Sequence, residues 1–525
     1  MPATSASDGT VDEKYDVVVV GVGAAGSAAA LAAHEAGARV LVVEKCDPGT
    51  AGGNTRVSGG GWFVHDDPSR AELFLRNLSE DFPLPDDVVE AWARETAGLS
   101  DWVRGLGADA RANPDYHTGP EYDDVEGSDC YGGMETVEGR MGNFLLYDAL
   151  LSALAERGIE VRFSEPAQRL LTDGDGNVTG LETPSGTIGA RGGIVLATGG
   201  FEADPDMVAN YLRVADHVTW GSPYATGDGH RMAQDVGADL WNMSNMMTIV
   251  GVPTGDGRGN LLALWHAQNY IFVNGEGRRF IDESSRNKHG HVLRNGYYEH
   301  FPLRPLYLVF DERVRTAGPI VPGPEALPVG WSTLMDGHAW SPDNSAEIDD
   351  GRIERAETVG GLAALLDMDP ATLARTIDSY NTSVAQGRDD AFGRKPTTLA
   401  PVSQPPFYAV RCHPLLGWSN GGPRRNGRAQ VLDTRGSVIE GLFAAGTVSS
   451  TYSSLKDGGF HIADAFAFGR GAARAAATRG RRPHRGLVAC TPRASPGEAN
   501  TPRVNVRATT WRRFVVVASG VPPFR

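Results

Sequence analysis

The chain has 525 residues, of which 41% are hydrophobic and 22% charged, a composition typical of globular proteins that excludes wholesale disorder. Its formal net charge of −16 argues against a nucleic-acid-binding surface, which needs clustered positive charge. Glycine is unusually frequent, at 66 residues, and glycine weakens regular elements. We therefore expect many tight turns or close approaches of the backbone to a ligand.

The cysteines and the apolar runs exclude several other classes of protein. Cys46, Cys130, Cys412 and Cys490 lack the spacing of zinc ligands, c-type haem or a disulfide framework, so we expect no metal site. The N-terminal stretch has no apolar core and no twin arginine, and no apolar run approaches the ~20 residues that span a bilayer. We expect a cytoplasmic protein without an export signal or transmembrane segment.

The first predicted unit is a strand–helix–strand motif. A β-branched strand over 15–20 leads into a turn formed by Gly21, Gly23, Ala24, Ala25 and Gly26. A small-residue helix over 27–36 and a second strand over 39–44 follow, and that strand ends at Glu44. The glycines let a pyrophosphate approach the helix N-terminus, and Glu44 would accept a hydrogen bond from a ribose hydroxyl. Glu44 disfavours a 2′-phosphate, which leaves NAD or FAD.

Further elements follow in chain order. We predict a helix over 147–157, strands over 161–163, 169–171 and 178–182, and a buried strand that ends in glycines over 194–200. Strands over 270–274 and 306–310 alternate with a helix over 371–380, whose start is marked by Asp369 and Pro370. A last strand with a glycine ending over 441–446 precedes the final helix over 462–477.

The glycine-rich segments 21–26, 51–55, 58–61, 194–200 and 441–446 together resemble the flavoprotein family of fumarate reductase, tricarballylate dehydrogenase and 3-ketosteroid Δ1-dehydrogenase. The segment 225–233 is also a feature of that family. The resemblance implies an α/β fold in which a Rossmann-like FAD-binding domain carries an inserted α+β capping domain, with FAD bound non-covalently. It implies FAD contacts by Gly21, Gly23, Ala24, Ala25, Gly26, Glu44, Lys45, Gly52, Gly53, Asn54, Thr55, Ser58, Gly59, Gly60, Ala167, Ala197, Thr198, Gly199, Asp228, Gly446, Ser454 and Leu455.

The domain organisation follows from the same resemblance. After a flexible N-terminus over 1–13, we predict the FAD-binding domain over 14–245 and 406–478, and the capping domain over 246–405. Residues 480–525 contain nine arginines and one acidic residue, Glu498, without helical or strand periodicity. We predict a basic, disordered tail over 479–525, and we hold as a hypothesis that it arises from a frameshifted reading of the gene.

One arginine is a candidate for proton transfer. In fumarate reductases the arginine that transfers the proton stands where Arg286 stands here. Arginine can do this only where burial and neighbouring cations destabilise its charge, because its pKa is normally above about 12. Alternatively, Arg286 pairs with Glu283 or clamps a carboxylate. The glutamate and second arginine that feed this residue in fumarate reductases are absent from 261–266, where His266 is a possible substitute.

The resemblance implies further contacts to the substrate. His413 stands where family members hold a substrate carboxylate or carbonyl. Arg424 or its neighbour Arg425 would anchor a carboxylate, unless both are solvated turn residues. Lys456 stands where fumarate reductases have a substrate-binding arginine, and lysine keeps the charge without the planar fork. Tyr452 would donate a hydrogen bond to a substrate carbonyl, or it is a buried structural tyrosine.

We therefore predict an FAD-dependent oxidoreductase that dehydrogenates or reduces a C–C bond next to a carboxylate or carbonyl, nearest to tricarballylate dehydrogenase. The alternative is a desaturase of cyclic ketones similar to 3-ketosteroid Δ1-dehydrogenase, which the apolar stretch 241–250 favours. An FAD-binding electron-transfer subunit and a catalytically defective paralogue are alternatives from other classes. The expected partners are a small-molecule substrate and a separate electron donor or acceptor, with no nucleic acid.

Overall fold

The first strand–helix–strand unit lies at the centre of a mixed sheet in the computed structural model, which describes residues 12–114, 119–142, 144–284, 288–294, 296–336 and 340–481. The strand Glu13–Val20 pairs in parallel with Val40–Val43 on one side and with Gly186–Leu196 on the other. Its valines are buried on both faces, as a parallel strand covered by helices requires. This arrangement confirms the predicted α/β fold.

Within the described chain this sheet has eight strands. Its parallel strands lie in the spatial order Val438–Ala444, Gly186–Leu196, Glu13–Val20, Val40–Val43 and Glu160–Arg162. Gln430–Leu432 adds an antiparallel strand at one edge, and the predicted meander is formed by Arg169–Thr172 and Val178–Thr183. Because the central strands are parallel, their carboxyl ends meet at one edge of the sheet, where open α/β folds bind ligands.

A second sheet is organised around one long strand, Phe407–Ser419. This strand pairs antiparallel with Met246–Pro253, Leu306–Asp311 and Glu354–Ala356, and parallel with Val218–Thr219. Two outer strands complete the seven that the described residues contribute, namely Gly259–Leu261 and Tyr270–Val273. The buried core strand thereby links the region after 406 to the region between 246 and 311.

The remaining strands are short. One three-stranded sheet contains Trp62–Phe63, Ala110–Ala112 and Met134–Val137. Two antiparallel pairs complete the set, namely Leu240–Trp241 with Gly422–Pro423 and the hairpin of His291–Arg294 with Tyr297–His300. The α-helices of the described chain are Ala24–Glu35, Gly53–Val57, Pro68–Leu78, Asp86–Thr96, Leu99–Gly105, Leu145–Glu156, Pro205–Met207, Asp228–Asp235, Glu312–Ala317, Trp331–Leu334, Ser345–Asp349, Val359–Leu365, Pro370–Gln386 and Phe460–Gly480.

The helix Ala24–Glu35 packs unusually close to its neighbours. A Cβ atom at Gly26 would lie 1.8 Å from the carbonyl oxygen of Gly21, and one at Gly469 would lie 2.4 Å from the carbonyl oxygen of Ala25. Any larger residue at these two positions would push the helix away from the sheet or from the helix Phe460–Gly480. The glycine and alanine content of both helices therefore serves close packing as well as cofactor access.

The domain boundaries stay a prediction. The strand Phe407–Ser419, which we assigned to the second FAD-binding segment, belongs to the second sheet, as does Val218–Thr219 from the first segment. The final helix reaches Gly480, beyond the predicted start of the tail at 479. Residues 482–525 and most of the predicted flexible N-terminus lie outside the described residues. No helix of the described ranges is long and apolar enough to cross a membrane.

A buried ion pair ties the final helix to the turn after the second sheet. Arg425 donates from its guanidinium to the Asp464 carboxylate at 3.1 Å and to the Ser449 carbonyl at 2.8 Å. Thr451 also donates to Asp464. Burial lowers the pKa of Arg425 and raises that of Asp464, and their attraction opposes both shifts. Arg425 is therefore a structural residue and does not anchor a substrate carboxylate.

Replacing one partner of this pair should destabilise the fold strongly, because the other charge is left buried. We expect Asp464→Ala to lower the free energy of unfolding by about 3–5 kcal/mol. The neighbouring Arg424 is a matched control, since it forms only a half-exposed pair with Asp239. Arg424→Ala should change the unfolding free energy by less than about 1 kcal/mol. Urea unfolding of both variants with excess cofactor tests this, and equal effects would contradict it.

Candidate active site

A cavity of about 340 Å³ lies at the carboxyl ends of the parallel strands. It is lined by the residues that directly follow the strands Glu13–Val20, Val40–Val43 and Gly186–Leu196. Gly446, after the last strand, lines it as well. The cavity therefore occupies the edge at which the sheet topology predicts a ligand.

The glycine-rich turn forms one wall of the cavity. Gly21 has a φ of +99°, and a Cβ atom there would lie 2.5 Å from the Ala197 carbonyl oxygen, so only glycine fits. Gly23 caps the following helix without a side chain, and the amide of Ala24 donates to Thr55 Oγ1 at 2.9 Å. The positive end of the helix therefore faces the cavity, where it favours an anionic group such as pyrophosphate.

Glu44 lies beside this turn, where a ribose is expected. Its carboxylate accepts backbone hydrogen bonds from Val22 at 3.0 Å and from Cys46 at 2.9 Å, which fix its orientation in the cavity wall. Thr198 also lines the cavity, and its buried hydroxyl has no hydrogen-bond partner among the described residues. A side-chain acceptor for a ribose hydroxyl, an unpaired buried hydroxyl and a glycine-rich turn fit a dinucleotide such as FAD.

Most of the predicted cofactor residues line this cavity: Gly21, Gly23, Ala24, Ala25, Glu44, Lys45, Gly52, Gly53, Asn54, Thr55, Ser58, Gly59, Gly60, Ala167, Ala197, Thr198, Gly199, Asp228 and Gly446. Lys45 is held by Asp228 at 2.6 Å. Three predicted residues are not among those that line it. Gly26 packs beneath the turn, Ser454 donates to Glu80 at 2.6 Å, and the Leu455 amide donates to Leu78.

The opposite end of the cavity combines apolar residues with one lysine and two histidines. Lys456 lies with its ammonium 4.6 Å from the centre of the Trp418 ring, and Met247 and Leu261 also line this end. Lys456 is 4% exposed and has no ion pair among the described residues. Burial lowers the pKa of Lys456 to about 7, while the charges of Glu121 and Asp457 oppose that shift. A buried cation without a direct ion pair among the described residues is suited to binding an anion.

Two histidines stand next to this lysine. His461 packs edge-on against Trp418, with ring centres 5.0 Å apart, and burial together with Lys456 lowers the pKa of His461 well below its usual value. His289 also lines the cavity, and its Nδ1 lies 2.6 Å from a carboxylate oxygen of Glu121. The cavity thus combines one cation with a histidine–carboxylate pair.

The structure places three of the predicted catalytic residues elsewhere. The Nδ1 atom of His413 donates to the backbone carbonyl of Asp216 at 2.9 Å, and His413 does not line the cavity. Tyr452 is fully buried, donates to the Phe460 carbonyl at 2.6 Å and accepts from Trp92 at 3.1 Å. Arg424 pairs with Asp239 near the surface. None of these three side chains is positioned to contact a ligand in this cavity.

Two further positions concern proton transfer. Arg286 lies outside the described residues, so its predicted role stays a prediction. His266, which we considered as a substitute for the missing glutamate and arginine, is exposed and packs against Gly318. It does not line the cavity.

Sequence reasoning missed Trp418, His289 and Glu121. Trp418 directly precedes the glycine-containing cluster 419–426, and His289 follows Arg286 by three residues, so their proximity to predicted motifs was a weak signal. Glu121 lies in a segment without any recognisable motif. Nothing in the spacing of these residues indicates that they meet.

A second cavity of about 210 Å³ adjoins the apolar end, and Leu261 lines both cavities. Its described lining is mostly aliphatic and aromatic, including Ile249 and Phe272. The two carboxylates that it contains are already engaged, since Glu283 accepts from Arg279 and Asp282 accepts from Ser284. The second cavity is therefore suited to an apolar group.

Comparison with known proteins agrees with this site. A family model described as FAD binding domain matches residues 16–459. The chain is 30% identical over 484 residues to the probable fumarate reductase Ifc3 of Shewanella frigidimarina, covering 87% of this chain and 74% of that protein. It is 27% identical over 542 residues to the NADH:acrylate oxidoreductase of Vibrio harveyi, covering 89% of this chain and only 51% of that protein.

The fold is similar to the open conformation of a flavocytochrome c3 fumarate reductase, with a TM-score of 0.65 and 27% identity over 90% of this chain and 79% of that chain. The FAD cofactor and the oxidoreductase class that the sequence predicted are confirmed. The chain therefore belongs to the FAD binding domain family, among the fumarate reductase-type FAD-dependent oxidoreductases that act on CH–CH groups.

Proposed function

We propose that this protein reduces or forms a C–C double bond conjugated to a single carboxylate in a substrate that is otherwise apolar. The observation that carries the proposal is Lys456, a buried cation 4.6 Å from the Trp418 ring in a cavity that Met247 and Leu261 also line. The similarity to an NADH:acrylate oxidoreductase supports it, because acrylate has one carboxylate.

The charge of the cavity disfavours the tricarballylate-like substrate that the sequence suggested. Of the lysines and arginines in the described chain, only Lys45 and Lys456 line the cavity, and Lys45 is neutralised by Asp228. Three substrate carboxylates would need more positive charge than one lysine provides, since unpaired buried charges are costly. The second, apolar cavity beyond Leu261 supports a hydrocarbon substituent instead.

The cofactor and the residues of the cavity would have separate roles in this reaction. When bound, FAD supplies hydride transfer at its N5 atom. Lys456 would hold the carboxylate and thereby orient the adjacent double bond, and the water-poor surroundings strengthen this contact. Trp418 and Met247 would exclude water from the reacting carbons. A cyclic-ketone desaturase is a second candidate, favoured by the apolar wall that these residues form with Trp220.

Substrate preference and the role of Lys456 can be tested together. With a chemically reduced flavin, we expect higher kcat/KM for a 2-enoate with an apolar substituent than for an unsaturated tricarboxylate. Lys456→Met should lower kcat/KM for the enoate about 100-fold, because a charged hydrogen bond is lost. The same substitution should change kcat/KM for a neutral cyclic enone less than about threefold. Lys14→Met, an exposed lysine, is the control.

Equal losses for the charged and neutral substrates, or a preference for the tricarboxylate, would refute the proposal. Preference for the cyclic enone would favour the second candidate function. Bound flavin without turnover of any substrate would favour the electron-transfer subunit or the defective paralogue.

The pKa of Lys456 predicts a pH dependence. Burial lowers this pKa to about 7, so the free enzyme carries the cation below pH 7 and loses it above. The enoate stays ionised, so kcat/KM should fall about tenfold for each pH unit well above 7. Lys456→Arg should lose the part of this fall that comes from substrate binding, because arginine stays protonated. Steady-state kinetics between pH 6 and 9.5 test this, and identical profiles for both proteins would contradict it.

Arg286 is the predicted proton-transfer or substrate-binding residue. We expect Arg286→Ala to retain FAD and to lose nearly all turnover, on the order of 100-fold or more. Flavin content per chain and kcat are the two measurements, and Arg411→Ala, at a surface ion pair with Asp216, is the control. Near-normal turnover in Arg286→Ala would remove this residue from the mechanism.

A further inference from the structure

His289 occupies a strained position in the cavity wall. Lys288 and His291 exchange backbone hydrogen bonds of 2.9 and 3.1 Å, and the two residues between them, His289 and Gly290, have φ values of +50° and +98°. A turn with two positive φ values suits asparagine and glycine better than histidine. A non-glycine residue held in this conformation next to a cavity points to a function of its side chain.

The side chain of His289 is held by a buried carboxylate. Its Nδ1 donates to Glu121 at 2.6 Å, and the side chain of Glu121 is only 5% exposed. The Glu121 backbone amide in turn donates to the Asp457 carboxylate at 2.9 Å. With Nδ1 bound to the carboxylate, Nε2 is the ring atom through which a proton relay to the cavity would run.

The turn is also tied to the segment that carries Glu121. The Tyr122 hydroxyl donates to the Lys288 carbonyl at 2.9 Å, and the Lys288 ammonium donates to Asp124 at 3.2 Å and to Tyr298 at 2.9 Å. Tyr122 itself is fully buried. These contacts fix the imidazole relative to Trp418, whose ring centre lies 5.8 Å away.

Charges of both signs face His289. The carboxylate of Glu121 binds its Nδ1, and burial together with Lys456 and His289 lowers the pKa values of His291 and His461. Burial and the Glu121 charge raise the pKa of Asp457 to about 6, so this carboxyl also changes protonation near neutral pH. The group of residues can therefore exchange protons in the range where the enzyme works.

We propose that His289, positioned by Glu121, is the proton relay of the active site. In the reductive direction, bound FAD would supply hydride to one carbon of the double bond, and the neighbouring carbon needs a proton. The imidazolium of His289 supplies that proton from Nε2, whichever group makes the final transfer, and becomes neutral. Solvent then reprotonates it, and desaturation runs in reverse. This inference rests on the proposed function.

Two variants and a control test the relay. His289→Gln should lower turnover of the 2-enoate about 100-fold at neutral pH while FAD content and the Kd of the saturated product acid stay within about threefold. Exogenous imidazole should restore part of the activity of His289→Ala. His300→Gln is the control, because His300 is a buried histidine of the same hairpin that does not line the cavity.

Glu121 acts through His289, so its test is the titration of the histidine. The pKa of His289 is measured in nitrogen NMR spectra, where its signal is the one that is missing from the spectrum of His289→Gln. Glu121→Gln should lower this pKa by about one unit. If the wild-type protein is active, either of two results would overturn the relay alone: an unchanged pKa of His289 in Glu121→Gln, or near-normal turnover of the enoate by His289→Gln. A wild type inactive on every enoate would overturn the proposed function and the relay with it.

Discussion

The cofactor cavity depends on how closely the helix Ala24–Glu35 packs between the sheet and the helix Phe460–Gly480. Gly26 and Gly469 permit this packing, since a Cβ atom at either position would meet a backbone carbonyl oxygen at 1.8 or 2.4 Å. The same packing places the helix N-terminus, Glu44 and Gly446 around one cavity. A binding site made largely of main-chain groups has to be positioned by the backbone itself, which explains why small residues dominate both helices.

This part of the molecule was predictable because its information is local. The strand, glycine turn, helix and acidic residue lie within about 30 residues, as in other dinucleotide-binding units. Gly21 needs a positive φ and a close approach to Ala197, which only glycine satisfies. Most residues that the sequence assigned to the cofactor consequently line the cavity, although their contacts with FAD are still predictions.

The substrate end could not be predicted in the same way, because it is assembled from distant segments. Trp418 lies opposite Met247 in the second sheet, and that register is set by the pairing of two strands about 170 residues apart in the chain. His413, carried over by resemblance, lies opposite Gly251. At about 3.3 Å per residue, the five residues from His413 to Trp418 span about 16 Å of strand, and His413 does not line the cavity.

Burying Lys456 also affects the stability of the protein. The pKa of Lys456 is about 7 in the folded chain and near the ordinary lysine value of 10.5 in the unfolded chain. Between these values the unfolded chain binds the extra proton, so this group makes stability rise with pH by about 1.4 kcal/mol per unit. Below pH 7 the lysine is protonated in both states, and the full cost of burying its charge lowers the stability of the fold. A bound carboxylate would offset it, so the fold should gain most from its ligand under the conditions in which the site carries its charge.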